Sequence, residues 1–173
     1  MFNTVIHILN AFALAVFVVA LEARLKSTTP DWAAITRALE LMCATLVLDA
    51  GMMAIVTAEH AAALFVINPM QAAEDWALLQ VVETGLGGGN EIAAGMWILL
   101  VSIAGMMGRS LGKISIGLGL LTGAGGLATL MPAIEDMAGA VFGLGAIGWF
   151  IAISLSLTFK RQAMVEPRIA LRT

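Results

Sequence analysis

Charged side chains are scarce in this chain of 173 residues. Asp, Glu, Lys and Arg make up 12% of the sequence, hydrophobic residues make up 60%, and the mean hydropathy is +0.95. A soluble globular domain carries about twice this fraction of charge. Because so few charges do not cover a water-exposed surface, the composition excludes a soluble domain of any size. It predicts an all-α integral membrane protein that forms one domain over residues 1–173.

Cysteine occurs only once, as Cys43, so a disulfide within the chain is excluded. The residue lies in an apolar run, which predicts a small buried hydrophobe. Catalytic patterns are also lacking: there are no paired metal-binding cysteines, no His-Glu-x-x-His helix and no serine flanked by glycines. An enzyme is disfavoured but not excluded, because intramembrane sites can be built from scattered acids. No cofactor is defined by the sequence.

Five apolar segments are long enough to cross a hydrocarbon core of about 30 Å. They are residues 4–21, 39–58, 92–107, 114–131 and 137–159. The first has no Lys or Arg before it, unlike a secretory signal, so we expect a retained helix. Thr29-Pro30 supplies a helix start before the second segment, 108–112 makes a tight link after the third, and Pro132 separates the fourth from the fifth.

An outer segment, residues 59–90, lies between the second and third spans. Asn68-Pro69-Met70-Gln71 has the chemistry of a helix start, with Asn68 as the N-cap, and the glycine run at 85–89 interrupts the helix that follows. The sequence therefore predicts a short outer interfacial or re-entrant helix, or the outer part of a broken third helix.

All nine basic residues fall on one side of this five-span arrangement. The positive-inside rule then predicts that the N-terminus and the segment 59–90 are outside and that the C-terminus is inside. Four acids, including Glu40, are assigned to the inner side and seven acids to the outer side. The basic tail at 160–173 is interpreted as an anchor that contacts anionic lipid, and no nucleic-acid partner is expected.

Asp49 is the one acid predicted to lie inside the membrane, near the middle of the second span. A carboxylate there costs at least ~3 kcal/mol. It should be protonated, hydrogen-bonded by Ser102, Thr122 or Ser154, or exposed to a wet cavity. Two interpretations stay open: a proton or cation relay, or a neutral hydrogen-bonding residue that joins helices.

Other side chains offer weaker candidates for metal or cofactor binding. Acids and one histidine near the outer face could form a divalent-cation site, although no pair has the spacing of a metal motif; they are Glu59, His60, Glu83, Glu91, Glu135 and Asp136. His7 and His60 near the outer ends of two spans could ligate a haem.

Small residues at a four-residue spacing occur in the last two spans, at Gly119 and Gly123 and at Gly139 and Gly143. Such pairs allow helix backbones to approach closely, either within one subunit or between subunits.

The chain resembles, over about residues 76–161, a family of small multi-pass bacterial membrane proteins known only as a domain of unknown function. The resemblance lies in Gly95-Met96-Trp97-Ile98-Leu99-Leu100, in the basic turn Gly108-Arg109-Ser110-Leu111-Gly112-Lys113 and in Gly148-Trp149-Phe150-Ile151. It implies a compact helical bundle in the bacterial inner membrane without an established activity, and it supplies no catalytic residues.

Three functional hypotheses follow from these observations. The first is an accessory or scaffold subunit that packs through glycine-rich helices against other membrane protein subunits or against itself. The second is a small cation- or proton-coupled transporter or channel that uses Asp49 and the outer acids. A membrane enzyme or haem protein is the third.

Overall fold

The computed structural model describes the backbone of residues 2–170 and the side chains of residues 8–86 and 88–157. Over residues 2–170 the chain forms five helices and no strand, which confirms the all-α prediction. In chain order they are α1 (Phe2–Leu25), α2 (Pro30–Phe65), α3 (Pro69–Met107), α4 (Lys113–Ala128) and α5 (Glu135–Ala170). Short turns join them, so each helix packs antiparallel against the next along the chain.

The predicted helix starts are confirmed. Pro30 occupies the first turn of α2, where its missing N–H costs nothing. Asn68 caps α3, because its Oδ1 accepts a hydrogen bond from the backbone N–H of Gln71 at 3.3 Å. The Gln71 side chain donates to Asp75 at 2.9 Å rather than back to the cap, so only half of the capping box forms.

The outer segment differs from the prediction of a separate short helix. α2 continues to Phe65, and α3 runs without a break from Pro69 through the glycine run at 85–89 to Met107. Glycine costs only about 1 kcal/mol in a helix interior. Packing along α2 offsets this cost, and a backbone in apolar surroundings must satisfy its hydrogen bonds internally. The two helices form a hairpin about 54–58 Å long.

Apolar side chains cover the outside of the bundle. On α1 and α5 they recur at helical spacing and are more than half exposed: Leu9, Phe12, Val16, Val19, Leu144, Ile147, Ile151 and Leu155. Stripes of this kind are unfavourable in water and suit a lipid environment. Four helices are long and apolar enough to cross a membrane, whereas α4, with 16 residues, is shorter. These features support an integral membrane protein.

The main cluster of buried hydrophobic residues includes residues close to the turns that join α1 to α2 and α3 to α4. Trp97 of α3 and Trp149 of α5 are fully buried and meet edge to face, with ring centroids 5.3 Å apart. Phe17 of α1 packs against both indoles at 6.4 and 6.5 Å. These rings join α1, α3 and α5 and fix one wall of the internal cavity described below.

Candidate functional site

Glu40 is the most unusual polar side chain of the bundle. It lies on α2, about three turns from the start of that helix, and is 0% exposed. Neither carboxyl oxygen has a hydrogen-bond partner among the described residues. Buried polar groups are almost always hydrogen-bonded. A carboxyl group without a partner therefore either destabilises the fold or has a function in binding.

An internal cavity of about 150 Å³ adjoins Glu40. Four helices line it, and most of the lining is apolar or aromatic; α4 does not contribute. Polar groups come from α1, α2 and α3, namely Asn10, Glu40 and Asn90, and the thiol of Cys43 also faces the space. The cavity is therefore an apolar space with few polar groups, as is typical of small-molecule sites.

The helix directions place the polar groups of the cavity at opposite ends. Glu40 and Val47 both line it and are seven residues apart (47 − 40), which is about 10 Å along α2. Because α3 runs antiparallel to α2, Ile98 lies at the Glu40 end and Asn90 at the Val47 end. Asn10 lies at the Asn90 end and is itself exposed. The cavity thus extends from an end with two asparagine side chains, of which Asn10 is exposed, to an end with a buried carboxyl group.

Aromatic rings form the wall near Glu40. Trp97 and Phe150 line the cavity, with their ring centroids 6.1 Å apart and their planes tilted by 40°. Phe17 packs edge-on against Phe150 at 5.5 Å and holds that ring in place. A third ring, Phe142, lies about two turns before Phe150 on α5 and also lines the cavity. The site therefore places aromatic side chains and a carboxyl group around one cavity.

No basic side chain among the described residues compensates Glu40. Arg37, one turn away on α2, instead forms an ion pair with Glu22 of α1, in which Nη1 of Arg37 donates to both carboxylate oxygens at 3.2 Å. An unpaired ionised carboxylate in such surroundings is strongly unfavourable. Burial without a compensating cation therefore favours the neutral carboxylic acid form of Glu40 over the carboxylate.

Sequence reasoning counted Glu40 among the acids of the inner side, and the structure shows that its side chain is fully buried in the bundle. The sequence does contain an indication of this burial, because Glu40 falls inside the predicted span 39–58, next to Leu39 and Leu41. Asp49, the predicted intramembrane site, is exposed on the outside of α2. Ser102 and Thr122, two of its expected partners, are fully buried, and Ser102 donates to the carbonyl oxygen of Ile98 at 2.8 Å. Asp49 is therefore not part of the cavity.

The residues predicted for a metal site do not assemble into one. His60 bonds Asp75 at 2.9 Å, and Glu83 accepts from Gln80 at 2.7 Å. Glu59 is exposed on α2, Glu91 lies on α3 where α4 ends, and Glu135 and Asp136 form the first turn of α5. The described side chains contain no cluster of three metal-ligating groups. His7, the other histidine of the haem hypothesis, lies outside the residues whose side chains are described.

The glycine pairs divide between two environments. Gly119 and Gly123 lie at the centre of the bundle, where an added Cβ at Gly119 would overlap the Ser102 hydroxyl and one at Gly123 would lie 2.7 Å from the Gly95 carbonyl oxygen. A Cβ added at Gly139 or Gly143 has no atom of the described residues within 4 Å. The first pair packs α4 against α3, whereas the second pair makes no such close contact within the described part of the chain.

Comparisons with protein-family models, with curated proteins and with solved structures give no match to this chain. The geometry of Glu40 and its cavity is therefore the basis for inferring a function.

Proposed function

We propose that the protein is a small membrane transporter that binds a proton or a monovalent cation at Glu40 and moves it across the membrane. The single observation that carries this proposal is the fully buried, unpaired carboxyl group of Glu40 beside an internal cavity. Ionisable groups inside membrane bundles are costly, and they mark ion and proton pathways when they face a cavity. Glu40 takes the place that the sequence suggested for Asp49.

The position of the cavity is consistent with transport. Its asparagine end, at Asn10 and Asn90, offers amide groups to an entering cation, while Glu40 lies at the opposite end, towards the turns joining α1 to α2 and α3 to α4. Alternate opening of the two ends would expose Glu40 first to one side of the membrane and then to the other. A carboxyl group that gains and loses a proton in each cycle provides the coupling.

The charge distribution favours an arrangement with the N-terminus outside and the C-terminus inside, in a bacterial inner membrane. In this arrangement the α2–α3 hairpin is longer than a bilayer core of about 30 Å, and its tip projects from the outer surface. The polar residues near the tip support this placement: His60, Gln71, Glu74 and Asp75 lie there. The Glu40 end of the cavity is then nearer the cytoplasm.

Proton flux in proteoliposomes tests the transport proposal. An outward pH gradient is imposed, and an enclosed pH dye reports proton movement for the wild type, Glu40→Gln and Asp49→Asn. Glu40→Gln should abolish the protein-dependent flux, because an amide does not release a proton. Asp49→Asn should retain it, because the Asp49 side chain lies outside the cavity. Equal flux in the wild type and Glu40→Gln, or flux lost equally in both variants, would contradict the proposal.

A second candidate, an accessory or self-associating subunit, is supported by the outward glycine pair on α5. No atom of the described residues lies within 4 Å of a Cβ added at Gly139 or Gly143, and small residues at this spacing favour close contact between membrane helices. Native mass spectrometry of gently extracted protein tests this candidate. A defined complex that is lost in Gly143→Leu and kept in Gly117→Leu, at another exposed glycine, would support an accessory or self-associating subunit. A monomer in every sample would contradict it.

A further inference from the structure

We propose that the cavity binds a small organic monocation, an ammonium group on an apolar body the size of a benzene ring, with Glu40 as its counter-ion, and that binding releases the Glu40 proton. This inference rests on the proposed function and specifies its substrate class. It follows from the size of the cavity, the chemistry of its wall and the number of its oxygen ligands.

The cavity volume sets the size of the ligand. A cavity of about 150 Å³ lined by apolar side chains accommodates a benzene molecule, and the cavity here has the same volume. Leu14, Val47 and Ile98 supply aliphatic surface for the apolar body. A single aromatic ring or a branched alkyl group fills this space, whereas a larger drug-like molecule does not.

The oxygen ligands argue against a metal ion. Calcium takes six to eight oxygen ligands and magnesium demands six in an octahedron. Glu40 supplies the only carboxyl group among the described cavity-lining residues, and the helix directions place Asn10 and Asn90 towards the Val47 end of the cavity. An ammonium group needs fewer partners, because one carboxylate and the faces of nearby rings stabilise it.

The wall beside Glu40 supplies those faces. Tryptophan is the strongest π partner among the aromatic side chains for a cation, and Trp97 lines the cavity together with Phe150. The edge-on contacts of Phe17 with Trp97 and Phe150 hold the rings in place before a ligand enters. A desolvated cation in this space therefore meets a preorganised carboxyl and aromatic surface.

Charge balance links binding to proton release. The neutral Glu40 acid gives up its proton to solvent, and the carboxylate that forms pairs with the incoming ammonium, so the net charge of the cavity does not change. Cys43 is the other titratable group among the described residues lining the cavity; α1, α3 and α5 contribute asparagine, aliphatic and aromatic side chains. The exchange is R–NH₃⁺ + Glu40–COOH → Glu40–COO⁻···⁺H₃N–R + H⁺.

Isothermal titration calorimetry on the full chain in lipid nanodiscs tests this inference with benzylammonium and its neutral analogue benzyl alcohol. Wild-type protein should bind benzylammonium and not benzyl alcohol. Titrations in two buffers of different ionisation enthalpy should show about one proton released per cation, and the affinity should rise about tenfold per pH unit while Glu40 is protonated. Equal binding of the two compounds, no binding of benzylammonium, or binding without proton release would each overturn the proposal.

Two variants of α2 test whether benzylammonium binds in this cavity. In Glu40→Gln the affinity for benzylammonium should fall at least about tenfold, whereas Asp49→Asn should bind as the wild type does. Equal affinity of Glu40→Gln and the wild type for benzylammonium would overturn the assignment to this cavity.

The two proposals fail in different ways. Proton flux that depends on Glu40, without binding of benzylammonium, would refute the organic cation and leave proton transport standing. Glu40-dependent binding of benzylammonium without flux would refute transport and leave a cation-binding protein. The wild-type comparison of benzylammonium with benzyl alcohol needs no variant, so the test holds even where Glu40→Gln fails to fold.

Discussion

Glu40 and Asp49 lie on the same helix and point to opposite sides of it. Their separation of nine residues (49 − 40) corresponds to about two and a half turns of an α-helix, which places the two side chains half a turn apart. Glu40 is 0% exposed, and Asp49 is exposed. α2 therefore carries one carboxyl group into the bundle and one away from it, and the two form a matched pair for mutagenesis.

Replacing Glu40 with an apolar residue should stabilise the protein. Glu40→Met removes an unpaired buried polar group whose burial costs about 1–3 kcal/mol, so the free energy of unfolding in detergent should rise by up to that amount. Glu40→Gln, which keeps a polar group in the same place, should leave the free energy of unfolding unchanged. A loss of stability in Glu40→Met, measured by circular dichroism during thermal unfolding, would mean that the carboxyl group has a stabilising partner.

Two glycines of α4 should respond to alanine in opposite directions. In Gly119→Ala the new methyl group overlaps the Ser102 hydroxyl and lies 2.5 Å from the Trp149 indole nitrogen, so we expect a loss of about 1–3 kcal/mol from overpacking. Gly117 is exposed and has no atom within 4 Å of an added Cβ. Gly117→Ala should therefore stabilise the helix by up to about 1 kcal/mol. Equal effects on thermal unfolding would contradict the packing of α4 against α3 and α5.

Thiol labelling of intact cells should reveal the orientation. In a Cys43→Ser background, Met70→Cys at the hairpin tip, where Met70 is 74% exposed, should react with a membrane-impermeant maleimide from outside. Lys26→Cys, in the turn between α1 and α2, should react only after the cells are permeabilised. The reverse pattern would show that the positive-inside rule assigns the wrong side for this chain.

The cap at the hairpin tip should contribute measurable local stability. Asn68→Ala removes the hydrogen bond to the Gln71 backbone N–H, which should cost about 0.5–2 kcal/mol and speed amide hydrogen exchange in the first turn of α3. Asn68→Asp retains an oxygen acceptor at the same position and should exchange as the wild type does. Faster exchange in both variants would indicate that the tip depends on the amide nitrogen instead of the cap.

Helix ends were predictable because their signals are local. Pro30, Asn68 and the 108–112 link each act through a few neighbouring residues, and α2, α3 and α4 begin or end at them. The helix break predicted at the glycine run 85–89 is wrong for the opposite reason. Its cost to the helix is also local, but packing of α3 along α2 offsets that cost from a distance.

The sequence by itself determined that this chain is helical and apolar, because composition and length leave no other way to satisfy the backbone in lipid. The tertiary structure decided which polar residue faces inwards. Helices that cross a membrane are apolar on every side, so periodicity does not separate the face towards lipid from the face towards the bundle. Glu40 and Asp49 look alike in sequence, and only the packing of α1, α3 and α5 around one side of α2 makes Glu40 the buried one.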